Sequence, residues 1–115
     1  MIHHVTREIA PSVLPECVRF YGLLGFEPVA VPPAVAGRAV WLASASTQIH
    51  LMPTPGATPE RGHVAIVAGD YDATLARLTA EGFAVDPRRA HWGSPRAFVR
   101  DPAGHQVELM AYPPE

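Results

Sequence analysis

Three histidines and one glutamate are the residues in this chain whose types and spacing could do chemistry. His4 and His63 are 59 positions apart, and His50 and Glu108 are 58 positions apart. Each of the four lies in a stretch with the alternating pattern of a β-strand. Three imidazoles and one carboxylate suit a divalent transition metal such as Zn, Ni, Fe, Mn or Co. The near-constant spacing predicts that one structural unit occurs twice, and that each copy supplies two metal ligands.

A metal held in this way would be suited to catalysis. Four protein ligands leave two open positions on an octahedral metal, whereas a structural site is closed. Such a metal acts as a Lewis acid that polarises a substrate oxygen and stabilises negative charge on it. Taken singly, a histidine on a strand is more often a structural polar residue, and Glu108 could lie on the solvent face of its strand. The repeated spacing is what favours the ligand interpretation.

Three other histidines have no counterpart at this spacing. His3 should face away from the side of His4, His91 lies in a predicted loop, and His105 lies in a predicted turn. We therefore expect all three to be surface or loop residues. Cys17 falls in the apolar stripe of a predicted helix, so it should be a buried structural thiol rather than a nucleophile.

The elements that must position the four ligands have the same order in both halves. Each half predicts a strand, a helix and then three strands, which favours an α+β domain with largely antiparallel sheets. Ser12 and Asp70 are the predicted helix N-caps, and Gly25 and Gly82, each followed by Phe, are the predicted stops. The predicted elements cover residues 2–9, 12–24, 26–31, 38–43 and 47–52, and then 63–67, 70–81, 83–85, 96–100 and 106–110.

The chain is long enough for one domain with a hydrophobic core. We expect residues 1–115 to form a single domain, with repeat units over about residues 1–54 and 61–112. The linker between them, at about residues 53–62, is rich in Pro, Gly and Thr, which suits a surface connection.

Composition excludes several classes of partner. A formal net charge of −2 gives no reason to expect nucleic acid or an anionic membrane. The single cysteine excludes an intramolecular disulfide, and no apolar run approaches the ~20 residues of a membrane helix. The first residues lack the pattern of a signal peptide. We expect a cytoplasmic protein that acts on a small molecule.

Four stretches of the chain resemble the vicinal oxygen chelate superfamily, which includes glyoxalase I, bleomycin-resistance proteins, fosfomycin-resistance proteins and extradiol dioxygenases. The stretches cover nearly the whole chain, and together they are specific for the superfamily rather than for one activity. They are His4-Val5, the Phe-Tyr-x-x-Leu-Gly-Phe motif at residues 20–26, Gly-His-Val-Ala at residues 62–65, and Asp-Pro-Ala-Gly-His-Gln-Val-Glu-Leu at residues 101–109.

The resemblance implies two paired βαβββ units that form a cupped half-barrel, usually in a homodimer, with a divalent metal in the cup. The superfamily's ligand positions correspond to His4, His50, His63 and Glu108 in this sequence. Members of the superfamily often build the site from both chains of a dimer, so the four ligands could come from one chain or from two.

The resemblance leaves several activities open. Glyoxalase-like lyase or isomerase chemistry is the leading expectation, with Glu108 as the catalytic base and Glu8 as an alternative base. Glyoxalase I usually has a carboxylate where this chain has His50. Extradiol dioxygenases and fosfomycin-resistance thiol transferases use the positions of His4, His63 and Glu108. A non-enzymatic drug-binding protein of the bleomycin-resistance type would instead use aromatic side chains such as Trp41 and Trp92.

Overall fold

The structure is a computed structural model that describes residues 1–114. The chain divides into two compact units, the first covering Met1–Pro59 and the second beginning at Glu60. Each unit contains one four-stranded sheet and one helix of ten residues. The predicted α+β class with two βαβββ units is therefore confirmed. Among residues 1–114, no helix is both long enough and apolar enough to cross a membrane.

The first unit contains four strands and one α-helix in the order β1, α1, β2, β3, β4. The spatial order of its strands is β1-β4-β3-β2, with β1 parallel to β4 and the other pairs antiparallel. Short 3-10 turns lie at Pro11–Val13 and Pro33–Val35. The elements are β1 at His4–Ile9, α1 at Leu14–Leu23, β2 at Glu27–Val29, β3 at Val40–Ser44 and β4 at Thr47–Pro53.

The second unit repeats this arrangement. Its strands are ordered β5-β8-β7-β6, again with one parallel pair and two antiparallel pairs. The register also repeats, because His4 pairs with Gln48 in the first unit and His63 pairs with Gln106 in the second. The elements are β5 at His63–Val67, α2 at Tyr71–Ala80, β6 at Asp86–Arg88, β7 at Arg96–Arg100 and β8 at Gln106–Met110.

Each sheet buries one face and leaves the candidate ligands on the other. Side chains alternate along a strand, so the residues between the ligands point into the core. In the first unit the buried apolar residues include Ile9, Leu42, Ile49 and Leu51, together with Cys17, Phe20 and Tyr21 of α1. In the second they include Leu78 of α2, Ala97, Val99, Val107 and Leu109. Cys17 is fully buried, as its place in the apolar stripe predicted.

The two helices begin differently. The Asp70 carboxylate accepts a hydrogen bond of 3.1 Å from the backbone N–H of Ala73, so the predicted cap of α2 is confirmed. Ser12 does not cap α1, because it lies inside a 3-10 turn and Val13 precedes the helix without a side-chain cap. With Ser12 as N-cap, the third helical position would be Pro15, which has no N–H to donate.

Several strand boundaries also differ from the predictions. Strand β1 begins at His4 rather than at Ile2, and β2 ends at Val29 rather than at Val31. Strand β6 lies at Asp86–Arg88 rather than at residues 83–85, because pairing with β7 sets its register and places Asp86 opposite Phe98. Strand β3 begins at Val40 rather than at Arg38. The helix stops agree with the sequence, since Gly25 and Gly82 adopt positive φ angles of 94° and 90°, which suit glycine at a helix end.

Candidate metal and substrate site

Strands β1 and β4 bring His4 and His50 together in the first unit. Their rings stack with centroids 3.9 Å apart and planes at 13°. His50 is only 5% exposed, although it lies on the face of β4 opposite the apolar core residues Ile49 and Leu51. The first of the two predicted ligand pairs is therefore formed within one sheet.

The His50 ring is fixed by its neighbours. Trp41 of β3 lies directly opposite His50, and their rings stack at 4.1 Å with planes at 3°. The Oε1 atom of Gln48 lies 2.7 Å from Nε2 of His50, so Nε2 donates this hydrogen bond and Nδ1 keeps its lone pair. This arrangement selects one tautomer and one ring orientation for His50.

Burial lowers the pKa of His50 below its usual value of 6.5, and the nearby His4 and His3 lower it further. A buried imidazole loses hydration when it is charged, and neighbouring imidazolium charges repel a further proton. His50 is therefore held in the neutral form, which is the form that binds a metal.

His3 does not face away from His4, contrary to the sequence expectation. The Nδ1 atoms of the two rings lie 2.9 Å apart. Strand β1 begins at His4, so His3 precedes the strand and the alternation rule does not govern its direction. His3, His4 and His50 thus form one exposed-to-buried row of imidazoles in the first unit.

Strands β5 and β8 bring His63 and Glu108 together in the second unit. Nε2 of His63 lies 3.1 Å from Oε1 of Glu108, and the side chains are 41% and 9% exposed. Two ligands about 2.1 Å from a metal and at right angles to each other would be about 3.0 Å apart. The pair therefore has the donor types and the separation of neighbouring ligands on one metal ion.

An arginine that the sequence analysis did not single out lies against this pair. Nη1 of Arg96 is 3.5 Å from Oε1 of Glu108, and the arginine side chain is 11% exposed. Its Nε donates to the Arg89 carbonyl at 2.8 Å, and its Nη2 lies 3.1 Å from Nε2 of His91. Phe98 is next to it on the same face, opposite Glu108 in the register. Alternation along residues 96–100 contained this signal, since Arg96 and Phe98 must share a face.

His105 is not a surface residue, although it follows the predicted turn. It is 1% exposed, and its Nδ1 lies 3.5 Å from the backbone N–H of Glu60. One carboxylate oxygen of Asp101 accepts hydrogen bonds from the backbone N–H groups of Ala103 and His105. The turn is thereby folded onto the start of the second unit, which buries the imidazole. His91 is exposed in its loop, as expected.

A cleft of about 580 Å³ opens on the ligand face of the first unit. His50, Trp41 and Thr6 line its floor, and the loop around Val35 and Arg38 lines another side. Its remaining walls are mostly apolar, and this volume lies within the range of small-molecule pockets. The cleft places apolar surface directly beside His50, a candidate metal ligand.

The structure brings the predicted ligands together in pairs, His4 with His50 and His63 with Glu108. In the described part of either unit, no three His, Cys, Asp or Glu side chains gather as a group that could hold a metal ion. A site that uses all four residues remains a prediction.

Comparison with known proteins decides the family. The family model described as the Glyoxalase/Bleomycin resistance protein/Dioxygenase superfamily matches residues 1–109. The chain belongs to this superfamily. The resemblance inferred from its sequence motifs is thereby confirmed. No curated protein is significantly similar in sequence to this member of the superfamily.

Several solved structures share the fold of this superfamily member. A protein assigned to the glyoxalase family from Bacillus anthracis is 26% identical, with a TM-score of 0.86 over 96% of this chain and 93% of the other. A lactoylglutathione lyase from Agrobacterium tumefaciens is 25% identical, with a TM-score of 0.73 over 96% and 92%. TnmS3, an antibiotic binding protein from Streptomyces sp. CB03234, is 28% identical, with a TM-score of 0.72 over 96% and 93%. The fold therefore accommodates both an enzyme and a binding protein.

Proposed function

We propose that this chain is a metal-dependent enzyme with glyoxalase-like lyase or isomerase activity on a small molecule that chelates the metal through two oxygens. The metal ligands are His4, His50, His63 and Glu108, and the metal is a divalent ion such as Zn, Ni, Fe, Mn or Co. The observation that carries this proposal is the 3.1 Å separation between Nε2 of His63 and Oε1 of Glu108.

The pair in the first unit supports the same proposal. His4 and His50 occupy the sheet positions that His63 and Glu108 occupy in the second unit, because the two sheets share their register. His50 is kept neutral and oriented by Gln48, as a ligating imidazole requires. When bound, the metal would polarise a substrate carbonyl or hydroxyl oxygen.

Glu108 is the proposed catalytic base. Its buried carboxylate can take a proton from the substrate carbon next to a chelating oxygen and can return the proton to a neighbouring atom. Nη1 of Arg96 and Nε2 of His63 lie 3.5 Å and 3.1 Å from Oε1, and both contacts hold the carboxylate in place. Glu8, which is exposed on the same strand face as His4, is the alternative base.

The protein that would carry out this reaction is proposed to be a single domain over residues 1–115, with repeat units at about 1–54 and 61–112. We propose that it acts as a homodimer in the cytoplasm. A dimer would allow each site to use ligands from one chain or from two.

Activity assays distinguish the reactions that this ligand set allows. Protein loaded with each metal is assayed with methylglyoxal and a thiol, with an epoxide and a thiol, and separately for oxygen uptake with a panel of catechols. Metal-dependent isomerisation supports the proposal. Iron-dependent oxygen uptake would instead identify an extradiol dioxygenase, and addition of the thiol to an epoxide would identify a thiol transferase. His4→Ala and His63→Ala should abolish the activity, while His91→Ala, in an exposed loop, should retain metal binding.

A second candidate function is drug binding without metal chemistry. The observation that favours it is the cleft of about 580 Å³ beside Trp41, whose indole can stack on a planar ligand. TnmS3, which is 28% identical, is an antibiotic binding protein. Under this alternative, drugs would quench tryptophan fluorescence of the metal-free protein, and Trp41→Ala would weaken binding while His63→Ala would not.

A further inference from the structure

Three arginines surround Phe98 on the ligand face of the second sheet. The guanidinium carbon of Arg88 lies 4.9 Å from the centre of the Phe98 ring, and that of Arg96 lies 5.5 Å from it. Arg100 follows Phe98 by two positions, so it lies on the same face of β7. The negatively charged residues on this face are Asp86 and Glu108.

The first unit shows that the fold does not require these arginines. Trp41 stands where the second unit has Phe98, because each is opposite the candidate ligand of the neighbouring strand. Counted from that position, Val31, Ala39 and Ala43 stand where the second unit has Arg88, Arg96 and Arg100. Of these three, only Ala43 lies in a strand, since β2 ends at Val29 and β3 begins at Val40. The first unit therefore forms its sheet with apolar residues at the corresponding places in the sequence.

The arginines still have donors to offer. A guanidinium has five N–H groups, and the contacts of Arg96 to Arg89, His91 and Glu108 use three of them. Arg88 donates through Nε to Asp86 at 2.8 Å, and Arg100 donates to the Gly104 carbonyl at 2.8 Å. The forked guanidinium matches two oxygens of one anion better than any other side chain does.

A small cleft provides room for such an anion. It has a volume of about 260 Å³ and is lined by Arg88, Phe98 and Arg100, together with Ala84, Asp86, Val99 and Gln106. Arg96 is not part of this lining but lies against the Phe98 ring, which is. Gln106 pairs with His63 in the sheet register, so the cleft is next to one of the proposed metal ligands. An anionic group bound there would place the rest of the substrate beside His63 and Glu108.

We propose that Arg88, Arg96 and Arg100 form an oxyanion-binding subsite, and that the substrate carries a carboxylate or a phosphate group. This inference rests on the proposed function, since it names the substrate class of the same site. The arginines fix the charged end of the substrate, while the two chelating oxygens are at its reacting end.

Substitution of Asp86 tests the proposal through a result that loss of folding could not produce. Its carboxylate is bound to Arg88 and therefore competes with an external anion for the same guanidinium. Both side chains are about half exposed, so Asp86→Asn should leave the sheet intact. The variant should bind anions more tightly, which is the opposite of what a damaged protein would do.

The experiment follows the arginine Nε–H and backbone amide signals of metal-free, 15N-labelled protein during titration with phosphate and, separately, with acetate. Ionic strength is held constant with potassium chloride. Saturable shifts at Arg88, Arg96 and Arg100 are expected. Arg96→Gln should weaken binding about tenfold or more, since a hydrogen bond to a charged group contributes this much, and Arg96→Lys should recover part of the loss. Asp86→Asn should strengthen binding about two- to fivefold.

Arg77→Gln is the matched control, because it removes the same charge from an exposed position on α2 of the same unit. Its anion affinity should equal that of the wild type. A response to phosphate alone, or to acetate alone, supports the subsite and identifies the anionic group. The inference is overturned if the shifts do not saturate, or if Arg77→Gln weakens binding as much as Arg96→Gln. Metal uptake by the same protein is measured separately, so failure of the subsite can be distinguished from failure of the metal site.

Discussion

The two sheets place their candidate ligands at the same positions but surround them with different chemistry. His50 and Glu108 occupy matching positions on β4 and β8, and each faces an aromatic residue on the next strand. In the first unit Trp41 and His4 stack on both sides of a neutral imidazole. In the second, an arginine lies against the buried carboxylate. The scaffold thus determines where a candidate ligand lies, and the neighbouring strand determines which side chains surround it.

The clefts on the ligand faces of the two sheets also differ in their chemistry. The cleft of the first unit is the larger and is mostly apolar, with Trp41 at its floor. The cleft of the second unit is smaller and is lined by Arg88 and Arg100. The duplicated fold therefore offers one face suited to an apolar group and one suited to an anion.

The largest effect on stability should come from the parts that the two units share. Leu51 on β4 and Leu109 on β8 are matched positions, and both are fully buried. Replacing either with alanine should lower the free energy of unfolding by about 2–5 kcal/mol, because each leaves a cavity in a packed core. Chemical denaturation measures both changes. Val67→Ala, at an exposed position, is the control. If only one of the two leucine substitutions lowered the free energy of unfolding by less than about 1 kcal/mol, the two cores would not be structurally equivalent.

Substitutions at the starts of the two helices should have smaller effects on the free energy of unfolding. Asp70→Ala removes the side-chain cap of α2 and should cost about 1 kcal/mol of unfolding free energy. Ser12→Ala should change stability by less than about 0.5 kcal/mol, because Ser12 makes no cap to α1. Denaturation of the two variants side by side checks this, and equal costs would show that Ser12 has a role the structure does not assign.

The smallest effect should be a pH dependence that comes from His50. Its pKa in the folded protein lies below the ordinary 6.5, so the unfolded chain binds a proton more readily. The contribution of neutral His50 is therefore fully present above about pH 6.5 and is lost as the pH falls below that value. Denaturation of metal-free protein at pH 7.5 and 5.5 should show a smaller difference for His50→Gln than for the wild type. An unchanged difference would mean that His50 does not contribute.

Much of the fold could be predicted from local patterns. Alternation identified the strands that carry His50, His63 and Glu108, and glycine identified the ends of both helices. Local patterns were less informative about where strands and helices begin. Ser12, the predicted cap of α1, lies in a 3-10 turn, and β6 pairs with β7 later in the chain than predicted. The position of β6 depends on pairing with another strand, which no local pattern encodes. Pro15, by contrast, was a local signal against Ser12 as a cap.

The metal site itself stays a prediction, although the sequence pointed to residues that lie close together. The spacing of His4, His50, His63 and Glu108 identified two pairs that the structure brings together. Alternation shows only that Arg96 shares a face with Phe98, and the significance of Arg96 comes from its contact with Glu108 across the sheet. His105 looked like a turn residue, and only the packing of the turn against Glu60 shows that it is buried.

Elemental analysis of untagged protein beside Glu108→Gln shows whether the four residues hold a metal, because the substitution keeps the size of the side chain and removes its charge. We expect about one equivalent of a transition metal in the wild type. The metal affinity of the variant should be at least 10- to 100-fold weaker, since even the loss of a residue that only supports a ligand has an effect of this size. His91→Ala should retain the metal. No metal in the wild type, even after incubation with each candidate ion, would contradict the metal site and leave drug binding as the function.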